Sequence, residues 1–179
     1  MRLHISILVA LLVLTGCEAG EHEAANDNAF DERVFDEADI LSDAAERELR
    51  DASLGLEAET SDQLVVVTTP SLGGRSIDEV SLERGNAMGV GRADIDNGVM
   101  IFVAPNERKV RIEVGLGLEA LLTDEIAGRI IETSIVPQFR AGNYDQGVRD
   151  GVSAIGDVLR SDRVRPRYPQ HQDQERLAS

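Results

Sequence analysis

"DNGVMIFVAPNERKVRIEVG", residues 96–115, decides the fold. From Gly98 to Ala104 every side chain after the glycine is apolar, the pattern of a strand buried on both faces. Pro105-Asn106-Glu107-Arg108 has turn chemistry. From Lys109 to Gly115 the chain alternates, with Val110, Ile112 and Val114 on one face. The two runs predict a hairpin.

Upstream, "QLVVVTT" (63–69) is a second buried strand, ended by Pro70 and Gly73-Gly74. Ser76-Ile77-Asp78-Glu79 is a capping box that opens a helix running to Met88, closed by Gly89 and Gly91. Strand, helix, strand predicts a parallel pair joined by a right-handed crossover, to which the hairpin adds an antiparallel strand. Ser42 opens an earlier helix to Thr60, with Ala45, Leu49, Ala52 and Leu56 on one side. Its pairs Glu46/Arg50 and Arg47/Asp51 lie four apart. Downstream, residues 123–135 predict a helix bearing Ile126, Ile130, Ile131 and Ile135 and stopped by Pro137. A last helix from Tyr144 to Leu159 carries Val148, Val152, Ile155 and Leu159. The expectation is an α/β domain in which helices cover a small mixed sheet.

Composition narrows the function. Hydrophobic residues make up 42% of the 179, enough for a core, but aromatics only 3% and tryptophan is absent. The core is aliphatic, and stacking platforms for bases or sugars are scarce. A formal net charge of −15 argues against nucleic acid, which needs clustered cations, and in favour of divalent ions.

The first residues, "MRLHISILVALLVLTGC", have a basic start, a short apolar stretch and a small-residue ending at Cys17. This reads as a lipoprotein signal peptide over residues 1–16, with Cys17, the sole cysteine, as the lipid attachment point. Several acyl chains on one residue hold a membrane stably, where one holds weakly. Residues 17–33 then form an acidic tether, 34–160 the folded domain, and 161–179 a disordered tail rich in charge and proline. The expected location is a cell membrane or outer membrane, facing the periplasm or exterior.

The folded segment contains no histidine and no cysteine. Serine–histidine catalysis, cysteine nucleophiles and histidine-bound zinc each lose a required part. Carboxylates, amides and hydroxyls remain, a set suited to calcium or magnesium. "DIDNG" (94–98) is not an EF-hand loop: Val99 stands where the glycine belongs and Pro105 where the glutamate belongs. Its aspartates precede a strand instead of following one, which disfavours an aspartyl-phosphate nucleophile. "GLGLEA" (115–120) is a weak dinucleotide match, since it follows the second arm of a hairpin.

What survives is convergence. Asp96 and Asn97 precede one hairpin strand, and Glu113, Glu119 and Asp124 lie near or beyond the end of the other. Antiparallel arms bring these loops to one edge, where carboxylates repel unless a cation or hydrogen bonds compensate. Ordinary readings stand beside this one: Asn97-Gly98 is a common turn pair and Asp124 a common helix-start residue.

"VFDEADILS", the hairpin block with its extension to "GLGLEALLTD", and "IVPQFRAGNYDQGVRDGV" together resemble the TPM domain family over residues 34–160. Members include bacterial envelope proteins and a thylakoid-lumen protein tied to photosystem II repair. The resemblance implies a three-layer α/β/α sandwich, divalent-ion binding, often calcium, and a disputed phosphatase activity. The acidic positions that match are Asp96, Asn97, Glu119 and Asp124, with Asp36 in the opening motif. Members commonly carry tryptophan where this chain has Met88, and many continue into a transmembrane segment that this chain replaces with the expected lipid anchor.

Two functions follow as expectations. The first is a membrane-anchored, divalent-cation-binding interaction module of the bacterial cell envelope. It would bind calcium (or magnesium) at Asp96, Asn97, Glu119 and Asp124, take an envelope protein as partner, and take no nucleic acid. The alternative is a metal-assisted phosphatase at the same acidic loop. Its phosphate clamp would need an inward-turned cation such as Arg92 or Arg129, because Arg108 and Lys109 belong to the other end of the hairpin.

Overall fold

The computed structural model describes residues 32–161. The expected leader, the tether up to residue 31 and the tail beyond residue 161 lie outside the described residues. Four strands form one sheet in the order β1-β2-β3-β4. They are β1 (Val34–Asp36), β2 (Gln63–Thr68), β3 (Gly98–Ala104) and β4 (Lys109–Val114). The first three are parallel and β4 is antiparallel to β3, so the expected hairpin forms with Ile101 opposite Ile112. Every residue of the two central strands is buried, which is why both read as unbroken apolar runs.

Helix α1 (Asp43–Thr60) and helix α2 (Ile77–Met88) make the two crossovers. Both begin as their caps dictate. Ser42 Oγ accepts from Ala45 N–H at 3.2 Å, and Ser76 and Glu79 complete the capping box. Helix α2 covers one face, where Val65, Val67, Met100 and Phe102 meet Ile77 and Val80. The other face is larger and carries α1, α3 (Asp124–Ile130), α4 (Val136–Arg140) and α5 (Tyr144–Ser161). The result is the three-layer α/β/α sandwich.

Helices α1 and α5 lie side by side in parallel. Ser42 donates to Asp145, Arg149 pairs with Glu48 at 2.7 Å, and Arg160 pairs with Glu59 at 2.6 Å. Buried Arg33, just before β1, pairs with Glu57. The entrance and the exit of the domain are therefore fastened to one turn of α1.

One strand was not foreseen and one helix end changes. Strand β1, only three residues long, lacks a periodic signature and is held in the sheet by its parallel register with Val66–Thr68. Pro137 does not stop the helix that precedes it. A π-turn over Ile131–Ile135 intervenes, and Val136 N–H reaches back five residues to the Ile131 carbonyl. Widening the ladder there lets α4 begin afresh with proline in its first turn, where the missing N–H has no intrahelical partner to lose. The wide turn also seats Ile135, fully buried, against α5. Among the described residues no helix is long and apolar enough to cross a membrane.

Candidate functional site

Three loops meet at the amino end of β3. The one before β3 is folded by Asn97, which is completely buried. Its Oδ1 accepts from Arg92 N–H at 2.9 Å, while its Nδ2 donates to the Ser61 carbonyl and lies 3.4 Å from Asp62 Oδ1. Gln63 Oε1 accepts from Gly91 N–H at 2.9 Å and pins the same loop. Both faces of the Asn97 amide are thus engaged inside the fold, and its oxygen does not point toward the carboxylates.

Asp96, one residue earlier, is turned outward by a left-handed backbone (φ 48°), a conformation that aspartate tolerates better than most residues. Its Oδ2 accepts from Leu116 N–H at 3.0 Å, and its carbonyl accepts from Gly117 N–H at 3.0 Å. These bonds lock the loop before β3 onto the loop after β4. Glycine is required at the crossing: a Cβ on Gly117 would strike the Ile95 carbonyl, and one on Gly115 the Asp96 carbonyl. The "GLG" element is a backbone crossing, which agrees with the reading of its glycines as a tight exit from the sheet.

Beside this crossing, between α2 and β4, runs a groove of about 310 Å³. Leu82 and Asn86 from α2 line it, with Asp96, Glu113, Leu116 and Glu119 opposite. Leu82 and Leu116 are 53% and 73% exposed, the two large apolar side chains on the surface among the described residues. Sequence reading missed both, since Leu82 follows no apolar stripe and Leu116 looks like filler between glycines. Only the contact of α2 with β4 makes them neighbours.

The charges divide into two sets. Glu113 accepts from fully buried Ser81 Oγ at 2.9 Å and from Arg111 Nε at 2.7 Å, and Arg111 also reaches Asp78 on α2 at 2.6 Å. The hydrogen bond it donates to Glu113, opposed by partial burial and supported by the charges of Glu113, Asp78 and Asp124, holds the Arg111 guanidinium above its ordinary pKa. By contrast, Asp96 Oδ1 and the Glu119 carboxylate accept no hydrogen bond among the described residues. Asp124 sits in the exposed first turn of α3, capped by Thr123, and does not line the groove. Asp36 lies at the other end of the sheet, where it accepts from Leu41 N–H at 2.8 Å and from Thr68 Oγ.

Of the four expected ligands, then, Asp96 and Glu119 share the groove, Asn97 is a fold residue and Asp124 stands apart. Among the described residues no three carboxylate, histidine or cysteine side chains come together as a metal cage. Calcium takes ~6–8 oxygens, so two carboxylates suit an exposed ion that keeps water or borrows ligands. Nor is there a free phosphate clamp beside them. Arg92 pairs with Asp94 at 3.0 Å, Arg129 with Glu125 at 2.8 Å, and Arg111 with Glu113.

The family model for the TPM domain matches residues 34–158. In structure the chain is similar to the N-terminal domain of a P. gingivalis protein solved by NMR, with 33% identity, 80% of this chain and 91% of that chain covered, and a TM-score of 0.72. Two further solved structures share the fold at lower identity. One is the BA42 protein of the psychrophilic bacterium Bizionia argentinensis (22%, covering 74% and 87%, TM-score 0.61). The other is the N-terminal domain of the cg2496 protein of Corynebacterium glutamicum (18%, covering 73% and 82%, TM-score 0.58). Among curated proteins none matches.

Proposed function

This chain belongs to the TPM domain family, and from that premise we propose that it is a divalent-cation-binding interaction module held at the cell envelope by lipid on Cys17. One observation carries the reading: the exposed leucines Leu82 and Leu116 flank the groove that holds the Glu119 carboxylate and the free Oδ1 of Asp96. Apolar anchors beside unpaired charge suit a partner surface, because the leucines supply area and the carboxylates supply selectivity. Calcium, with magnesium as the alternative, bridges Asp96 and Glu119, and the docked envelope protein or water completes its oxygen shell.

Asp96→Asn keeps the hydrogen-bonding oxygen and the tolerance for a left-handed backbone while removing the charge. Calorimetric titration of the parent with calcium is expected to show one weak saturable site, lost in Asp96→Asn and weakened in Glu119→Gln. Leu116→Asp is expected to release envelope proteins that the parent retains in calcium and that chelation elutes. A parent that binds no calcium sinks the cation assignment. Calcium-dependent phosphate-ester turnover that disappears in Asp96→Asn would favour the enzyme reading over the module.

A further inference from the structure

The opposite end of the sheet carries a second, chemically inverted cavity of about 670 Å³. The β3–β4 turn, the end of α4 and the start of α5 enclose it. Its wall is apolar. Val103 is fully buried there, beside half-buried Val110 and Val136, and the rings of Phe139 and Tyr144 meet at 4.9 Å with a 47° tilt. Three exposed cations, Arg108, Lys109 and Arg140, also line it.

These cations are unusual in this chain. Its formal charge is −15, and Lys109 is its only lysine. Nine arginines among the described residues sit in ion pairs, and neither Arg108 nor Arg140 is one of them. Two acids lie nearby. Asp145 accepts from Ser42, and Glu107 accepts from Leu72 N–H and Ser71 Oγ; these bonds, with a smaller contribution from the Lys109 charge, hold the Glu107 carboxyl below its ordinary pKa. Arg108 also holds a left-handed backbone (φ 54°), where glycine or asparagine would sit with less strain.

We infer that this cavity binds a small organic oxyanion, its phosphate, sulfonate or carboxylate head held by Arg108, Lys109 and Arg140 and its apolar body laid on Phe139, Tyr144 and Val136. The volume is that of a site for a small ligand, and the arrangement of apolar walls with a few convergent polar groups is the usual one. Guanidinium groups match a tetrahedral or planar oxyanion with paired hydrogen bonds. The body is aromatic if the ligand is a soluble metabolite and alkyl if it derives from lipid.

Phenylphosphonate, hexylphosphonate and inorganic phosphate serve as probes, because neither phosphonate can be hydrolysed to phosphate. Titration followed by calorimetry and by amide NMR is expected to show one site for a phosphonate, with shifts at Val110, Arg140 and Tyr144. Inorganic phosphate is expected to bind about tenfold or more weakly for want of the body. Tighter binding of phenylphosphonate assigns the aromatic source, and of hexylphosphonate the lipid source. Arg108→Gly removes the charge and suits the left-handed backbone, so its melting temperature should hold. It and Arg140→Gln are each expected to weaken binding about tenfold, the loss of a charge-assisted contact, whereas Arg75→Gln changes nothing. Acetylation of Lys109 should slow when the phosphonate is bound. Absence of saturable binding, equal affinity for inorganic phosphate, or full affinity in both Arg108→Gly and Arg140→Gln overturns the assignment.

Discussion

Asp96 and Asn97 are adjacent, both polar and both before β3, yet one faces solvent and the other is completely buried. In Asn97→Ala the Arg92 N–H and the Ser61 carbonyl lose their partner at once. Leaving a buried group unsatisfied costs about 1–3 kcal/mol, and these two are half-buried, so urea denaturation should show a loss of about that size in total. Calcium should not restore that stability. Asp96→Asn should leave the calcium-free stability within about 0.5 kcal/mol of the parent, as expected for a surface change that keeps its hydrogen bond. The pair shows why ligand assignment outran the sequence. "DN" offers two oxygen ligands of equal plausibility, and only the path of the loop around Gln63 and Ser61 decides which one turns in.

At the scale of elements, α5 gives two tests. Gly151 sits in mid-helix, where alanine would gain about 1 kcal/mol in propensity. Its Cβ, however, would lie 2.8 Å from Cδ1 of fully buried Ile135, and overpacking costs about 1–3 kcal/mol. Gly151→Ala is therefore expected to destabilise. Gly55→Ala on α1, where nothing lies within 4 Å of the added carbon, is expected to stabilise by about 0.5–1 kcal/mol. The comparison of urea midpoints separates packing from propensity.

The second test concerns the α1–α5 contact. Partial burial raises the Asp145 pKa, but the Ser42 hydroxyl and N–H, with Arg149, outweigh it and hold the carboxyl below its ordinary value. The folded value is thus below the unfolded one, about 3.9. The stabilisation is complete above that pH and is lost as pH falls through the folded value. Asp145→Asn should be less stable than the parent at neutral pH, and the difference should shrink as the pH drops below about 4.

The helices and the hairpin were legible because their signals are local: caps at Ser42 and Ser76, apolar runs in β2 and β3, alternation in β4. The π-turn was not legible, since proline normally marks an end and the compensation lies in the packing of Ile135 on α5.

For the molecule as a whole, sequence placed the two loops of the acidic edge together but not the groove, which needs α2 as its far wall. The cationic cavity was less accessible still. Arg108 and Lys109 are adjacent, but Arg140 joins them only after α3, the π-turn and α4 have brought the chain back across the sheet. The molecule is consequently polar along its strands. The Glu119 carboxylate and the free oxygen of Asp96 sit at the amino end of β3, and Arg108 and Arg140, outside any ion pair, sit at its carboxyl end.

The fastening of Arg33 and Arg160 to Glu57 and Glu59 then acquires a geographical meaning. The described residues therefore begin and end at the acidic pole, beside one turn of α1. If residue 17 carries the proposed lipid, the pole with Leu82 and Leu116 is the one at which the described residues begin. The cationic cavity lies at the far pole, beyond the roughly 27 Å length of α1. A cation held at one pole and an oxyanion held at the other would then occupy the domain at once without touching.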